Sequence, residues 1–267
     1  MKLTARVISP RFSNAFHSAS SAAAEPVTAG VAGAFLNGKA QLTGSYGYVI
    51  MKENVVIDIE MCTVQKEYQW KDYPYEHEII QIGAVMMDGG YEITDEFSSY
   101  VRPKYGRIDH FIQELTGISD KQIMEAPPLE EALDRMVSWL GSCEVTFYSW
   151  SKTDYVQIAR EIQAKGIDEE KMSVLLDKEN WVDYQQTAGK RFGKPWRMSL
   201  EDALMFAEIE PEGKQHDGLV DARNTARLIA KMEKNPKSHF LQDRLQEEKN
   251  AEPLATSLGS LFNKIRI

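Results

Sequence analysis

A short apolar run that ends in two acids constrains the fold of this chain more than any other feature. Residues 53–63 read ENVVIDIEMCT, and the consecutive apolar residues 55–57 predict a strand that is buried on both faces. Asp58 and Glu60 follow two positions apart, and residues at that spacing point to the same side of a strand. Two like charges at the end of a buried strand cost free energy unless something positive lies between them. The segment therefore predicts a central strand whose acids need a positive partner.

Composition excludes several classes of protein. The 267 residues carry a net charge of −9, which excludes the general basic character of a protein that coats nucleic acid. Any polyanion must therefore be bound through local basic groups or bound cations. Cys62 and Cys143 are too few for a disulfide framework or a zinc cluster, and they fit a reduced cytosol, so a cytoplasmic location is expected. No apolar run approaches the ~18–20 residues that span a membrane, so no membrane association is expected.

The composition also divides the chain into three parts. Residues 1–50 are rich in alanine and serine and poor in acids, and we expect a low-complexity, disordered leader, or residues translated upstream of a natural start at Met51. The alternative is a transit peptide, although Pro10 would interrupt its helix. Residues 51–235 are expected to form one α/β domain. Residues 236–267 are a charged linker followed by apolar residues at helical spacing: Leu254, Leu258, Leu261, Phe262 and Ile265. We expect this stripe to fold back on the domain, to mediate self-association, or to dock as a peptide on a partner protein.

Strand and helix patterns recur within the expected domain. Residues 79–88 are nearly all apolar and predict a central strand, residues 95–103 predict a more alternating strand, and residues 144–150 predict another. Helical periodicity predicts an amphipathic helix over residues 129–140, and shorter patterns predict further helices after residues 155 and 222. Because strands come first and then alternate with helices, we expect an α/β fold with a mixed sheet flanked by helices.

One further acid, Asp154, could converge on the two acids of the central strand. It follows the segment EVTFYSW and lies three residues after Ser151. That spacing is the spacing of a capping box, in which both side chains bond to the first turn of a helix. Local evidence alone therefore favours a structural role for Asp154 at a helix start.

The segment HDGLVDARNTARLI, residues 216–229, offers a histidine and two acids ahead of a helical pattern. His216 precedes Asp221 by five residues, and Gly218 between them permits a turn before the helix. Asp217 is the better capping candidate of the two acids. Taken alone, these residues fit a helix cap beside a surface histidine.

The order of these residues resembles the DEDDh family of 3′–5′ exonucleases. The segments HEIIQIGAVMMD, SSYVRP, ELTGIS, APPLEEAL and HDGLVDARNTARLI resemble enzymes that trim histone, ribosomal and silencing RNAs, and their bacterial sporulation-inhibitor-like relatives. The resemblance covers about residues 52–233. It implies a ribonuclease-H-like fold with a five-stranded mixed sheet between helices. It also implies a set of metal ligands and a general base, with Glu60 both a ligand and a catalytic residue: Asp58, Glu60, Asp154 and Asp221 as ligands, and His216 as the base.

The chemistry of phosphodiester hydrolysis explains why these residue types are needed. Two divalent cations about 4 Å apart can activate a water, neutralise the phosphate and stabilise the leaving oxygen. Hard cations prefer carboxylate oxygens, so two Mg²⁺ or Mn²⁺ ions per site are the expected cofactors. Four carboxylates against two such ions leave about zero net charge, so metal is the positive partner that the central strand needs. A histidine, with an ordinary pKa near 6.5, can take the proton of the water near neutral pH.

The resemblance also implies contacts with the terminal nucleotide. Met61, Leu115 and Thr116 match positions that meet the terminal base and sugar in the family, although a core methionine would look the same. A second segment, GKRFGKPWRM at residues 189–198, mixes basic and aromatic residues. This mixture predicts either a surface that tracks a nucleic-acid backbone or a solvated loop.

The expected function is a metal-dependent 3′–5′ exonuclease that releases nucleoside monophosphates from single-stranded RNA or DNA 3′ ends, with RNA slightly favoured. A DNA proofreading or repair exonuclease would use the same five residues, so competition between RNA and DNA is needed to separate the two. A non-catalytic regulatory scaffold with the same fold is a further alternative. Such a scaffold would usually have lost a ligand or the histidine, and all five residues are present in this chain.

Overall fold

The computed structural model describes residues 52–193 and 198–236, together with the backbone of two short strands that precede them. These strands, β1 (Ala40–Thr43) and β2 (Gly47–Ile50), pair with each other in an antiparallel sheet. The pair lies inside the predicted leader. The rest of the leader and residues 237–267, with the apolar stripe, lie outside the described residues, so their expected boundaries and contacts stay predictions.

The described residues between 52 and 236 form an α/β domain. Its strands are β3 (Lys52–Val64), β4 (His77–Met87), β5 (Ile93–Tyr100), β6 (Gly106–Arg107), β7 (Glu144–Ser149) and β8 (Trp181–Asp183). Its helices are α1 (His110–Thr116), α2 (Asp120–Glu125), α3 (Leu129–Leu140), α4 (Thr153–Lys165), α5 (Ser173–Leu176), α6 (Tyr184–Arg191), α7 (Leu200–Phe206) and α8 (Gly218–Lys234). Within the described part of the chain, none of these helices is long and apolar enough to cross a membrane.

The sheet is mixed, as the sequence predicts. Its continuous path runs β5-β4-β3-β7-β8, in which β3, β4 and β5 are antiparallel while β3, β7 and β8 are parallel. The short strand β6 pairs with the far end of β3 and lies off this path. The predicted five strands therefore correspond to the continuous path, and β6 adds a sixth.

The central strand β3 is buried on both faces, which confirms the prediction from its apolar run. Val55 and Ile57 are fully buried in a core layer that includes residues of α3, α4 and α5. Val56 is fully buried in a second layer with residues of α6, α7 and α8. Because alternate residues of a strand face opposite sides, the helices cover both faces of the sheet. The predicted amphipathic helix over residues 129–140 is α3, and Gly141 at its end adopts a φ of 67°.

Candidate active site

The site begins where two strands part from each other. Strand β7 pairs with β3 only as far as Val56, and β6 pairs with β3 only at Thr63 and Val64. Between these pairings, one edge of β3 has no strand partner among the described residues, and Asp58 and Glu60 lie in this stretch. On the other edge, both acids stay in register with β4. The open edge leaves backbone N–H groups free to bond with side chains from other elements.

Asp154 occupies this open edge. Its carboxylate Oδ1 accepts a hydrogen bond from the backbone N–H of Ile59, between the two acids of β3, at 3.2 Å, and its side chain is buried. The full capping box is not formed, because the N-cap of α4 is Lys152 and it makes no side-chain cap bond, although the Asp154 carboxylate does bond to the backbone N–H of Ser151. Local spacing predicted only this nearby bond, whereas Ile59 lies 95 residues away. The structure therefore brings Asp154 to the acids of β3, as the family resemblance implies.

The start of α8 is pressed against the sheet through two glycines. A Cβ on Gly83 of β4 would lie 2.1 Å from the carbonyl carbon of Gly218, and a Cβ on Gly218 would lie 3.1 Å from the carbonyl oxygen of Asp58. Gly218 is therefore needed for the close approach of α8 to the sheet and not for a turn. The residue in the left-handed conformation is His216, with a φ of 61°. This contact brings the first turn of α8, and Asp221 within it, next to the acids of β3.

We expect Gly83→Ala to destabilise the fold by about 3 kcal/mol or more, because the new methyl group would meet backbone atoms that cannot rotate away. Gly89→Ala is a matched control, since nothing lies within 4 Å of a Cβ at that position. The control should stay within about 0.5 kcal/mol of the wild type. Denaturant unfolding of both variants measures the difference. Equal midpoints for the two variants would show that α8 does not pack on β4 in this way.

Two polar residues lock the first turn of α8 in place. Asp217 is the N-cap, as predicted, and its Oδ1 accepts hydrogen bonds from the N–H groups of Leu219 and Val220 at 3.1 and 3.3 Å. Gln81, which lies opposite Glu60 on β4 and is buried, accepts from the N–H of Gly218 at 3.0 Å and donates to Asp217 at 3.3 Å. Gln81 is not recognisable from the sequence, since a lone glutamine in an apolar strand carries no pattern.

His216 completes the cluster from the loop that precedes α8. Its backbone N–H donates to Oδ2 of Asp221 at 2.8 Å, which holds the loop against the helix. One ligand atom each from Glu60, His216 and Asp221 lie within 4.8 Å of one another. His216 is exposed, whereas Glu60 is only 8% exposed. The site thus has buried carboxylates at its base and an exposed imidazole at its open side.

Burial raises the pKa of all four carboxylates, and neighbouring charges add to this shift. Burial and then the charges of Asp221 and Asp154 raise the pKa of Glu60 to about 8. Burial raises the pKa of Asp154 to about 7, although backbone N–H groups oppose this shift. Burial and then the charges of Asp154, Glu60 and Asp221 raise the pKa of Asp58 well above its ordinary value, and burial also raises that of Asp221. These oxygen donors fit a hard divalent cation, which would relieve this repulsion.

The predicted substrate contacts lie on two elements near this cluster. Met61 follows an irregularity in the pairing of β3 with β4, where Ile80 of β4 is the extra residue, and it packs partly against the core, so its substrate role stays a prediction. Thr116 is buried, and its hydroxyl donates to the carbonyl of Ile112 at 2.8 Å and accepts from Ile118 N–H at 3.0 Å, so it already closes the end of α1. Leu115 is half-buried on the same helix, and its substrate role also stays a prediction.

The loop that carries His216 contacts the end of α1. The Nζ of Lys214 donates to the carbonyl oxygen of Glu114 at 3.1 Å. Phe111, one turn before Leu115 on α1, is 67% exposed. This large exposed aromatic ring is available to a ligand. The sequence does not indicate it, because a single phenylalanine in an amphipathic segment predicts a core residue.

The basic and aromatic segment 189–198 divides into a structural part and an undescribed part. Phe192 is 1% exposed, and Arg191 donates to the carbonyl oxygen of Asn235 at 2.7 Å. Neither side chain is free to track a nucleic acid, so that hypothesis is wrong for these two positions. Residues 194–197 lie outside the described residues.

Comparison with known proteins decides the family. A family model described as Exonuclease matches residues 55–229. The chain belongs to this exonuclease family. Two relatives in the family are ERI1 exoribonuclease 2 of Danio rerio, 34% identical over 179 residues, and the 3′-5′ exonuclease Snipper of Drosophila melanogaster, 27% identical over 212 residues. The matches cover 58% and 70% of this chain, and 31% and 69% of those proteins. The chain thus spans about a third of the length of the first relative.

Solved structures of exonucleases share the fold. A structure described as 3′-end specific recognition of histone mRNA stem-loop by 3′-exonuclease has a TM-score of 0.59 at 20% identity, covering 70% of this chain and 84% of that one. A structure of exonuclease I has a TM-score of 0.53 at 12% identity, covering 71% and 42% of the two chains. These likenesses confirm the predicted ribonuclease-H-like fold.

Proposed function

We propose that this chain is a DEDDh-type, metal-dependent 3′–5′ exonuclease that releases nucleoside monophosphates from single-stranded RNA ends. The observation that carries the proposal is the convergence of Glu60, His216 and Asp221 to within 4.8 Å inside an exonuclease-family domain. Asp154 accepts a hydrogen bond from β3 between Asp58 and Glu60, so Asp58 and Asp154 lie next to this cluster. All five residues needed for catalysis are thus kept, which argues against a non-catalytic scaffold.

The proposed cofactor is a pair of Mg²⁺ or Mn²⁺ ions, held by Asp58, Glu60, Asp154 and Asp221. When bound, the cations neutralise the phosphate, activate the attacking water and stabilise the leaving oxygen. The carboxylates themselves fix where the scissile phosphate can lie, because they are anchored to β3, α4 and α8. Bound cations would supply the positive charge that an acidic protein needs to hold a polyanion.

His216 takes the proton of the attacking water in this proposal. The backbone N–H of His216 donates a hydrogen bond of 2.8 Å to Asp221. This bond fixes the loop, so the imidazole stays beside the carboxylates. Its exposure lets the imidazole return the proton to solvent after each turnover. The exposed ring of Phe111 and the half-buried Leu115 offer an apolar surface on which a terminal base could stack.

The substrate class is proposed from the relatives. Proteins named exoribonucleases, in Danio rerio and Rattus norvegicus, are 34% and 25% identical to this chain. We therefore favour RNA 3′ ends over DNA. DNA proofreading or repair is the alternative outcome, since the same carboxylates would serve either substrate.

Incubation of the full chain with 5′-labelled single-stranded RNA and DNA tests both parts of the proposal. With Mg²⁺ or Mn²⁺ we expect a ladder of products shortened from the 3′ end, RNA consumed faster than DNA in direct competition, and no products in chelator. DNA consumed faster than RNA would favour the repair alternative. An intact substrate under every metal condition would leave the regulatory scaffold as the better hypothesis.

A further inference from the structure

A buried ionic network lies beside the carboxylate cluster and is not used in the chemistry proposed above. Glu161 of α4 and Glu78 of β4 are both fully buried, and Lys165 of α4 lies between them. The Nζ of Lys165 is 2.6 Å from Oε2 of Glu161 and 2.8 Å from Oε1 of Glu78. Two carboxylates thus share one lysine away from water. Such a network contributes little to stability compared with apolar residues of similar volume, so its use must lie in the geometry that it fixes.

Glu161 bonds to the sheet where the pairing of β3 and β4 is irregular. The register shifts between Glu60 and Met61, so that Gln81 faces Glu60 while Ile79 faces Met61. Oε1 of Glu161 accepts a hydrogen bond from the backbone N–H of Ile79 at 2.6 Å. A bulge disrupts the local ladder of backbone hydrogen bonds. Glu161 therefore stabilises the irregular backbone directly after Glu60.

The same helix reaches the sheet a second time, at Asp154. Residues seven positions apart lie on one face of a helix, two turns from each other. Asp154 accepts from Ile59 N–H on β3, and Glu161 accepts from Ile79 N–H on β4. These two bonds lie on either side of Glu60 along the sheet. The orientation of α4, and with it the distance from Asp154 to Glu60, is therefore fixed at two points.

The network also reaches the segment that leads to α1. Glu78 accepts from the backbone N–H groups of Lys104 and Tyr105 at 3.0 and 2.6 Å, and also from that of Gly106. Residues 104–106 continue through β6 into α1, whose end contacts the loop that carries His216. One buried network is thus connected to α4, to the bulge in the sheet and to the segment before α1.

We propose that Glu161 is a positioning residue for the carboxylate cluster. It locks α4 to the bulge beside Glu60, and so sets the spacing between the carboxylate of Asp154 on the helix and that of Glu60 on the strand. The inference rests on the proposed metal-dependent function, because a precise spacing of these carboxylates matters only if they share a cation. Loss of Glu161 should therefore weaken metal binding more than it weakens the binding of RNA.

Variants of the full chain test this role. Glu161→Ala removes both the bond to Ile79 and the charge, whereas Glu161→Gln keeps an oxygen that can accept from Ile79 N–H. We expect Glu161→Ala to raise the Kd for Mn²⁺ in calorimetry, and the Mg²⁺ concentration for half-maximal hydrolysis, by about 10–100-fold, the range for lost outer-shell partners of metal sites. KM for RNA at saturating Mg²⁺ should change less than about twofold. Glu161→Gln should restore metal affinity close to the wild-type value.

Leu133→Ala is the matched control, because Leu133 is a fully buried core residue of α3. It should lower the melting temperature without changing the affinity for Mn²⁺. Equal Mn²⁺ affinities for Glu161→Ala and Leu133→Ala would overturn the proposal and leave Glu161 a purely structural residue. Should Glu161→Ala fail to fold, Glu161→Asp, whose carboxylate ends one methylene short of Ile79, must show the same weakened affinity. Calorimetry does not require turnover, so the two proposals can fail separately. An inactive wild type would refute the proposed function. Weaker Mn²⁺ binding by the variant would still support the positioning role.

Discussion

The Asp58→Asn variant should lose exonuclease activity by at least about 10³-fold and yet, in chelator, melt about 2–8 °C above the wild type. Activity falls because the amide cannot replace an anionic ligand of the proposed cations. Stability rises because burial, and then the charges of Asp154, Glu60 and Asp221, oppose the ionisation of Asp58 when no cation is bound. Turnover on labelled RNA and thermal melting in chelator measure the two effects. Asp58→Ala should behave in the same way.

The pH dependence of metal-free stability follows from the same cluster. The folded-state pKa values of Glu60 and Asp154, about 8 and about 7, lie well above ordinary carboxyl values near 4. The folded state therefore binds these protons more tightly than the unfolded state does. The stability that results is fully present below about pH 4 and is lost as the pH rises through 7 and 8. In chelator, the melting temperature of the wild type should fall from pH 5 to pH 8, and that of Asp58→Asn should fall less.

Mg²⁺ should reverse this loss in the wild type but not in Asp58→Asn. A ligand at 100 times its Kd stabilises the folded state by about 2.7 kcal/mol, so saturating Mg²⁺ should raise the melting temperature at pH 8. Asp72→Asn, at an exposed aspartate in the loop between β3 and β4, is the control and should respond to Mg²⁺ as the wild type does. An equal Mg²⁺-induced shift in Asp58→Asn, or wild-type turnover by that variant, would rule out Asp58 as a ligand.

The parts of the fold that sequence predicted well are those set by local periodicity. The run Val55–Ile57 predicted a strand buried on both faces, because consecutive apolar residues place apolar side chains on each face of the strand. The helical spacing over residues 129–140 predicted α3 with the same bounds as the structure. The alternation of Asp58 and Glu60 placed two acids on one side of β3. Each of these inferences needs only the geometry of one element.

The parts that local patterns missed depend on contacts between distant segments. Asp154 fitted a capping box within four residues, while its carboxylate also accepts from a backbone N–H on β3, which local spacing could not indicate. Gly218 fitted a turn, while its role comes from the approach of Gly83, which lies far earlier in the chain. Glu161 gave no signal at all, since a glutamate on an amphipathic helix ordinarily faces water. Only the resemblance to a known family brought Asp154 into the predicted site, because it transfers tertiary information that spacing lacks.

His216→Ala should lower hydrolysis at neutral pH by about 10²–10⁴-fold, the usual contribution of a general base. A general base acts only in its unprotonated form, so at saturating Mg²⁺ the variant should lose the part of the pH–rate profile that depends on a base. A matched control is His77→Ala, at an exposed histidine that starts β4, which should keep both the rate and the pH profile of the wild type. Single-turnover rates across pH 5.5–8.5 would show the difference without interference from product release.

Metal affinity separates a general base from a ligand at this position. A ligand atom of His216 lies within 4.8 Å of those of Glu60 and Asp221, so the imidazole is close enough to contribute to a cation site. As a base, His216 can be lost while the Kd for Mn²⁺ changes less than about tenfold, because the four carboxylates remain. A collapse of Mn²⁺ binding in His216→Ala would make the histidine a ligand. An unchanged pH–rate profile in the variant would instead show that the attacking water needs no protein base. If Mn²⁺ binding were also unchanged, His216 would be neither a base nor a ligand.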